Sequence, residues 1–179
     1  MTRQVDDAIL VESAQDGDVD AFEALVKRHE DSVYRVALRM LGSRADAQDI
    51  SQETFVRVWR YLHRFRHQSA LSTWVYRITT RCCLDFIAAR RPTGEPLELE
   101  QEIGGADPAE SAEQRERLRA VTRAITGLPP EQRAALVLRE FEGLSYEDVG
   151  EVLGVSVAAV KGRIHRARRG VLDQTVDWR

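Results

Sequence analysis

Residues 144–170, LSYEDVGEVLGVSVAAVKGRIHRARRG, predict two short helices joined by a tight turn. Ser145 is a good N-cap for the first helix. Gly150 is small where two helices must cross closely, Gly154 suits the turn, and Ser156 caps the second helix. The apolar side chains that hold the pair onto a core are Val149, Leu153, Val155, Val160 and Ile164. This spacing is typical of the helix-turn-helix, whose second helix is free to enter the major groove of DNA.

The second helix of this pair carries an unusual charge for a chain that is acidic as a whole. Residues 154–170 contain five Lys or Arg residues and no acidic residue, although the 179-residue chain has a formal net charge of −3. A solvated basic helix is one explanation, but protein surfaces usually interleave both signs of charge. The basic side chains, with small side chains at the start of the helix, favour contact with nucleic acid.

The acidic residues are concentrated in the middle of the chain. From Pro92 to Glu113 the sequence holds seven acidic residues, three of the five prolines and no basic residue. Taking those seven negative charges from the total of −3 leaves +4 for the rest of the chain. Such a segment cannot bury enough apolar surface to offset its ordering entropy, so we predict a flexible acidic linker. The predicted organisation is an N-terminal tail at 1–17, a first lobe at 18–91, the linker at 92–111 and a second lobe at 112–179.

Apolar residues recur at helical spacing through both lobes, and good helix formers are abundant. We therefore predict an all-α protein with three helices bundled in the first lobe and four shorter helices in the second. The longest apolar runs are short and the N-terminus has early acids, so we expect no membrane insertion, no secretory signal and a cytoplasmic location. Cys82 and Cys83 are adjacent and no Cys-x-x-Cys occurs, so we expect no disulfide, no metal site and no cofactor.

One predicted helix of the first lobe has an acidic face. Asp46, Asp49 and Glu53 follow the spacing i, i+3, i+7, which places them on one side of the helix with Gln52 beside them. A solvated acidic face is common on helices, and a docking face for a basic partner is the alternative. The residues alone leave both interpretations open.

The segment that follows mixes basic and aromatic residues. From Arg57 to Arg91 the only acidic residue is Asp85. Cationic side chains can hold a nucleic-acid backbone while rings or pockets receive unstacked bases, so this composition suits a single strand. Core packing is the better interpretation for Trp59 and Trp74 taken individually. The short polar loop FRHQSAL, residues 65–71, is the better candidate for a base pocket.

The two lobes together resemble the bacterial RNA polymerase sigma factors of the extracytoplasmic-function (ECF) type, group 4 of the sigma-70 family, which keep only sigma domains 2 and 4. The matching stretches are DAQDISQETFVRVW, FRHQSALSTWVYRI, LPPEQRAALVLREFEGLSYEDVGEVLGVS and AAVKGRIHRARR. The resemblance implies that the first lobe is sigma domain 2 and the second is sigma domain 4. It further implies that the chain binds core RNA polymerase, directs initiation at promoters and is regulated by an anti-sigma factor.

The resemblance also implies a role for three sets of residues, with the β flap as a further polymerase contact. Docking on the β′ clamp helices of core polymerase is implied for Asp46, Asp49, Gln52 and Glu53. Contact with melted −10 promoter DNA is implied for Arg64, Phe65, Arg66, His67, Gln68, Ser69, Ala70, Leu71, Trp74, Arg77 and Arg81. Contact with the −35 duplex is implied for Ser156, Val157, Ala158, Ala159, Lys161, Arg163, His165, Arg166 and Arg168.

Other classes of protein explain the sequence less completely. We expect no enzyme, because the four histidines are scattered without a nucleophile–base arrangement and no phosphate-binding glycine loop occurs. A repressor or activator that binds DNA without polymerase would leave the acidic face and the basic–aromatic loop without a role. A helical adaptor that binds only proteins would not need a recognition helix free of acidic residues.

Overall fold

The computed structural model describes residues 6–90 and 112–175, which form eight α-helices and no β-strand. The N-terminal four are α1 (Asp7–Gln15), α2 (Val19–Leu41), α3 (Arg44–Tyr61) and α4 (Leu71–Arg90). The second lobe has α5 (Ala112–Thr126), α6 (Pro130–Leu136), α7 (Tyr146–Leu153) and α8 (Val157–Thr175). The predicted all-α fold, with three helices in the first lobe and four in the second, is confirmed. None of the helices in these two ranges is long and apolar enough to cross a bilayer, and the predicted linker lies outside the described residues.

Two short irregular turns complete the chain path around the helices. A 3₁₀ turn at Leu62–Arg64 follows α3, and a π-helical turn at Val137–Phe141 follows α6. At the junction of α2 and α3, Gly42 takes a left-handed conformation with φ of 74°. The hydroxyl of Ser43 then accepts a hydrogen bond from the backbone N–H of Asp46 at 3.2 Å. This C-cap and N-cap pair lets α3 fold back along α2.

Helix α1 lies in the segment that the sequence analysis sets apart as a tail. Its side chains Val11 and Ala14 are 0 % and 5 % exposed and belong to the same hydrophobic cluster as residues of α2, α3 and α4. Asp7 attaches its first turn to α2, where its carboxylate accepts from Arg28 and lies 3.0 Å from the ring of His29. Only two positions of this nine-residue helix are buried, so its apolar periodicity is too weak to predict docking.

The two lobes pack directly against each other. One hydrophobic cluster runs from α2, α3 and α4 into α6, α7 and α8, and α7 lies against α4. Cys82 and Cys83 are free thiols buried in this cluster, and burial raises the pKa of both. High thiol pKa values disfavour the reactive thiolate, so the pair serves packing at the junction.

A buried arginine ties the end of α2 to the second lobe. Arg133 is 3 % exposed, and its guanidinium donates to the carbonyl oxygens of Met40, Thr126 and Leu128. Burial lowers the pKa of Arg133 to about 10. Because these acceptors are backbone groups of both lobes, one side chain fixes their relative position at this point.

A buried carboxylate forms the second polar contact between the lobes. The side chain of Glu142 is only 3 % exposed. It accepts a hydrogen bond from the Tyr76 hydroxyl at 3.0 Å and lies 3.4 Å and 3.5 Å from the guanidinium groups of Arg35 and Arg39. The carboxylate therefore gains partners from α2 and α4 at once, which offsets the cost of its burial.

Candidate nucleic-acid interfaces and docking groove

The helix-turn-helix is formed by α7 and α8 as the spacing predicts. Gly154 turns the chain in a left-handed conformation with φ of 65° and ψ of 37°. A Cβ atom on Gly150 would lie 2.8 Å from the carbonyl oxygen of Val155, so the close crossing requires glycine there. Val160 and Ile164 are 0 % and 2 % exposed and seat α8 on the core.

The first turn of α8 carries only short side chains. The hydroxyl of Ser156 accepts a hydrogen bond from the backbone N–H of Ala159 at 3.2 Å, so the predicted cap is confirmed. Ala158 is exposed, and Val157 and Ala159 are partly buried. With these short side chains, the first turn of α8 can come close to the edges of base pairs in a major groove.

Two of the basic side chains on α8 are already bound to acidic residues of their own lobe. Arg163 lies 2.8 Å from Glu131, with only 18 % of its side chain exposed. Arg168 lies 2.5 Å from Glu140, and this hydrogen bond raises the pKa of Arg168. The acidic partners lie 32 and 28 residues upstream, so no local pattern in the sequence predicts the pairing.

The remaining basic side chains of α8 are more available. The Lys161 ammonium lies 5.3 Å from the centre of the Tyr146 ring, within reach of a cation–π contact. His165, Arg166 and Arg169 are exposed. No carboxylate among the side chains that the structure describes pairs with Arg166. A phosphate could therefore bind Arg166 without displacing any of these described carboxylates.

The predicted base loop is pinned at both ends and exposed between them. Phe65 and Leu71 are each 7 % exposed and belong to the core of the first lobe. Between these anchors, Arg66, Gln68 and their neighbours form a polar rim in which only Ser69 is partly buried. The structure therefore places Phe65 and Leu71 beneath the loop, and leaves the surface to residues 66–70.

His67 gives this loop an unusual backbone. Its φ of 55° lies in the left-handed region, where among the described residues it is the only one that is not glycine. Its ring contacts the Phe65 ring in a tilted arrangement with the centroids 4.9 Å apart, and Phe65 packs on Trp74 at 5.2 Å. Positive φ values are uncommon for side-chain-bearing residues and occur where the surrounding structure holds them. These tilted ring contacts supply part of that restraint.

The other predicted −10 residues lie in the 3₁₀ turn before this loop and along α4. Arg64 lies over the Tyr61 ring at 5.5 Å beside the start of the loop. Trp74, Arg77 and Arg81 follow helical spacing on α4 and share one face. Arg77 lies 2.8 Å from Glu151 of the second lobe, and Arg81 lies 3.0 Å from Asp85. The structure therefore groups the loop with Trp74 and extends a basic stripe along α4 toward the lobe junction.

The acidic face of α3 is divided by the structure. Asp49, Gln52 and Glu53 are exposed together. Asp46, in contrast, is only 14 % exposed at its side chain and accepts a hydrogen bond from Arg90 of α4 at 2.7 Å. Glu53 also accepts from Arg57 one turn away, at 2.7 Å. Three of the four predicted docking residues are thus available to a partner, and Asp46 holds α3 to α4.

An apolar groove lies beside this face, between α2 and α3. Its volume is about 600 Å³, and it is lined by Val19, Phe22, Val26, Glu30, Ser51, Gln52, Phe55, Val56 and Trp59. Trp59 is 42 % exposed and packs on Phe22 at 4.7 Å between centroids, so the expectation that it belongs to the core is wrong. The sequence does not reveal the groove because its i, i+4 apolar spacing is the same as that of a core face.

Comparison with known proteins finds the same two modules in the same order. Residues 25–93 match the family described as sigma-70 region 2, and residues 118–169 match sigma-70, region 4. The RNA polymerase sigma-H factor of Pseudomonas aeruginosa is 37 % identical over 182 residues, which cover 96 % of this chain and 94 % of the relative. The ECF RNA polymerase sigma-E factor of Escherichia coli K12 is also 37 % identical, covering 96 % and 95 %.

A third relative is longer than this chain. The ECF RNA polymerase sigma factor SigE of Mycolicibacterium smegmatis is 40 % identical over 158 residues, and the match spans 86 % of this chain but 61 % of the relative. Among solved structures, CnrH in complex with the cytosolic domain of CnrY gives a TM-score of 0.74 at 28 % identity, covering 97 % of this chain and 99 % of CnrH. The Bartonella quintana RpoE in complex with the anti-sigma factor NepR shares the fold, with a TM-score of 0.73 at 21 % identity over 90 % of this chain and all of RpoE.

Proposed function

Because the chain belongs to the ECF sigma factors of RNA polymerase, which recognise promoters, we propose that its three surfaces divide the work of initiation. The observation that carries the proposal is their coexistence on one chain: a basic helix α8, a pinned polar loop at 65–71, and an acidic-edged apolar groove on α3. A repressor would need only the basic helix α8. The proposed role is recognition rather than catalysis, in the cytoplasm where polymerase and promoters meet.

Helix α8 is proposed to read the −35 element as duplex DNA. Its short first turn, from Ser156 to Ala159, suits contact with base edges in the major groove. Lys161 and Arg166 suit phosphate oxygens on either side of that contact, because they are exposed and cationic. Arg163 and Arg168 can join them only by exchanging a carboxylate partner for a phosphate, so we expect them to contribute less.

The loop at 65–71 is proposed to hold a base of the melted −10 element. A single strand offers unstacked bases, and these bind where polar groups line a small rigid depression beside aromatic rings. Arg66, His67 and Gln68 provide donors and acceptors on the exposed part of the loop. Arg77 and Arg81 continue this surface along α4, where each can contact the backbone of the strand by exchanging its carboxylate partner, Glu151 or Asp85, for a phosphate.

The groove between α2 and α3 is proposed to receive the β′ clamp helices of core polymerase. The groove has apolar walls such as Phe55 and Trp59, and its edge carries Gln52 with Asp49 and Glu53 nearby. An amphipathic helix with basic flanks would satisfy both features. The second lobe is proposed to contact the β flap, as the family resemblance implies.

An anti-sigma factor is proposed as a competitor for these surfaces. CnrH is seen with the cytosolic domain of CnrY, and the Bartonella RpoE with the anti-sigma factor NepR. A regulator that binds the exposed groove or the exposed arginines of this chain would exclude polymerase or promoter DNA. Such a regulator needs a complementary apolar or acidic segment.

The test is to reconstitute the chain with core bacterial RNA polymerase and a promoter library, and to map transcription start sites. New start sites that share two sequence elements are the expected result. Reversing charge with Asp49→Lys and Glu53→Lys should weaken association with polymerase about tenfold, since close interfacial charge pairs contribute more than 1 kcal/mol. Duplex binding by the second lobe should stay unchanged.

Glu12→Lys with Asp16→Lys is the matched control, because both residues are exposed and the pair changes the charge equally at α1 and its C-cap. This control should leave polymerase affinity within about twofold. A chain that binds duplex DNA tightly alone and never alters the start sites chosen by polymerase would instead be a repressor or activator.

A further inference from the structure

Gln15, the last residue of α1, contacts the segment that leads into the base loop. Its side-chain amide nitrogen Nε2 donates to the carbonyl oxygen of Leu62 at 2.9 Å and to the carbonyl oxygen of Phe65 at 3.0 Å. The acceptors lie 47 and 50 residues further along the chain. An amide –NH₂ group has two hydrogens, so both bonds can be made at once by the single nitrogen.

The two carbonyl groups mark the place where the chain leaves regular structure. Leu62 starts the 3₁₀ turn after α3, and its carbonyl also accepts the backbone N–H of Phe65 at 2.9 Å. Phe65 is the buried anchor at the start of the loop, and His67 takes its left-handed conformation two residues later. Holding the carbonyl of Phe65 fixes the peptide plane from which the exposed residues 66–70 depart.

Helix α1, which carries Gln15, is itself held in place by other contacts. Val11 and Ala14 are buried in the same hydrophobic cluster as Phe65 and Leu71, one turn or less from Gln15. Asp7 attaches the opposite end of α1 to Arg28 and His29 of α2. Helix α1 therefore connects the loop to the body of the first lobe through fixed contacts at both of its ends.

We propose that Gln15 is a positioning residue, which sets the conformation of the loop at 65–71 and thereby its discrimination between bases of a single strand. This inference rests on the proposed function of that loop in holding a −10 base. Gln15 acts through the carbonyls of Leu62 and Phe65, and its own side chain is directed at the backbone under the loop. Removing the two donors frees the Phe65 peptide and lets the loop sample other shapes.

The substitution Gln15→Leu separates positioning from packing, because leucine keeps much of the side-chain volume and removes both donors. Gln15→Glu is a second variant with nearly the same shape, and it directs carboxylate oxygens at two carbonyl oxygens. Glu12→Gln is the control, since Glu12 is exposed on the same helix. All are made in the full chain and assembled with core polymerase.

The measurement is the base preference of open complexes formed on promoters with a randomised −10 element, read by sequencing the DNA retained. For the parent chain we expect a strong preference at one −10 position. Gln15→Leu and Gln15→Glu should reduce that preference about tenfold, while the preference in the −35 element and the affinity for polymerase stay within about twofold. Amide hydrogen exchange should rise in residues 65–70 and stay unchanged in the middle of α4.

Different outcomes would contradict the proposed function of the loop and the inference about Gln15. A parent chain without any −10 base preference contradicts the proposed function of the loop. A parent chain with a preference that Gln15→Leu and Gln15→Glu both retain overturns the inference about Gln15 alone. Equal weakening of binding to every −10 sequence, with the preference preserved, also overturns it, because that is the result of a purely structural loss.

Discussion

The helix proposed to read duplex DNA and the loop proposed to hold a single-stranded base are kept in place by different means. Helix α8 is held by its buried apolar face, Val160, Ile164 and Ala167, which packs against α5, α6 and α7. The loop at 65–71 depends on Gln15, fifty residues before Phe65 in the chain. A helix held by a whole apolar face does not depend on one polar contact, whereas a loop whose backbone is also held by a distant amide can be altered by one substitution outside its own sequence.

The largest expected effect concerns the seat of α8. Ile164→Ala removes a side chain that is 2 % exposed at the centre of the second lobe, and should lower the free energy of unfolding by about 3 kcal/mol. Urea denaturation measures this loss. His165→Ala, at the exposed neighbouring position, should change stability by less than about 0.5 kcal/mol. Equal effects of the two variants would mean that α8 is not held by its core face. Gln15→Leu, in comparison, should alter base preference far more than stability.

The separation of contacting residues along the chain also decides what the sequence can predict. The all-α fold and the helix-turn-helix are predicted because their signals lie close together in the chain. Each signal meets one local requirement, a helix cap, a close helix crossing or a tight turn, at Ser145, Gly150, Gly154 and Ser156. The docking of α1 is not predicted, because two buried positions in nine residues leave no periodic signal. The predicted linker at 92–111 stays a prediction.

The candidate site is predicted only in part, because some of its contacts join residues that are far apart in the chain. The exposed side of α8 follows from helical spacing, but the pairing of Arg163 with Glu131 and of Arg168 with Glu140 needs the folded second lobe. Trp59 and Trp74 look equivalent in the sequence, yet one lines a groove and the other supports the loop through Phe65. Aromatic spacing predicts that a residue is on one face of a helix and does not determine what covers that face.

The second prediction tests whether the two regions share one cooperative structure. Glu142→Gln removes a carboxylate that is 3 % exposed and bonded to Tyr76, Arg35 and Arg39 of the first lobe. Loss of hydrogen bonds to a buried charge should lower the free energy of unfolding by about 2 kcal/mol. Urea denaturation measures this loss.

Glu151→Gln is the matched control for the lobe junction. Glu151 pairs with Arg77 across the same junction, but its side chain is 39 % exposed, so its loss should cost less than about 0.5 kcal/mol. If Glu142→Gln left stability unchanged, the carboxylate would have no role in joining the lobes. A separate unfolding transition for each lobe in the parent chain would show that they are not one cooperative unit.

The smallest expected effect distinguishes the arginines of α8 from one another. Arg166→Ala should reduce the salt dependence of duplex binding by about one counterion, because each phosphate contact releases about 0.9 ion. Arg163→Ala should reduce the salt dependence less, since the guanidinium of Arg163 is held by Glu131 at 2.8 Å.

Glu131→Gln tests the same competition from the acidic partner. It should raise duplex affinity by about threefold, the contribution of an exposed ion pair, because it releases Arg163 to a phosphate. Glu12→Gln changes the net charge equally on α1 and should leave duplex affinity unchanged. Salt slopes that fall equally for Arg163→Ala and Arg166→Ala would mean that Glu131 does not compete with DNA, and that α8 presents all of its arginines alike.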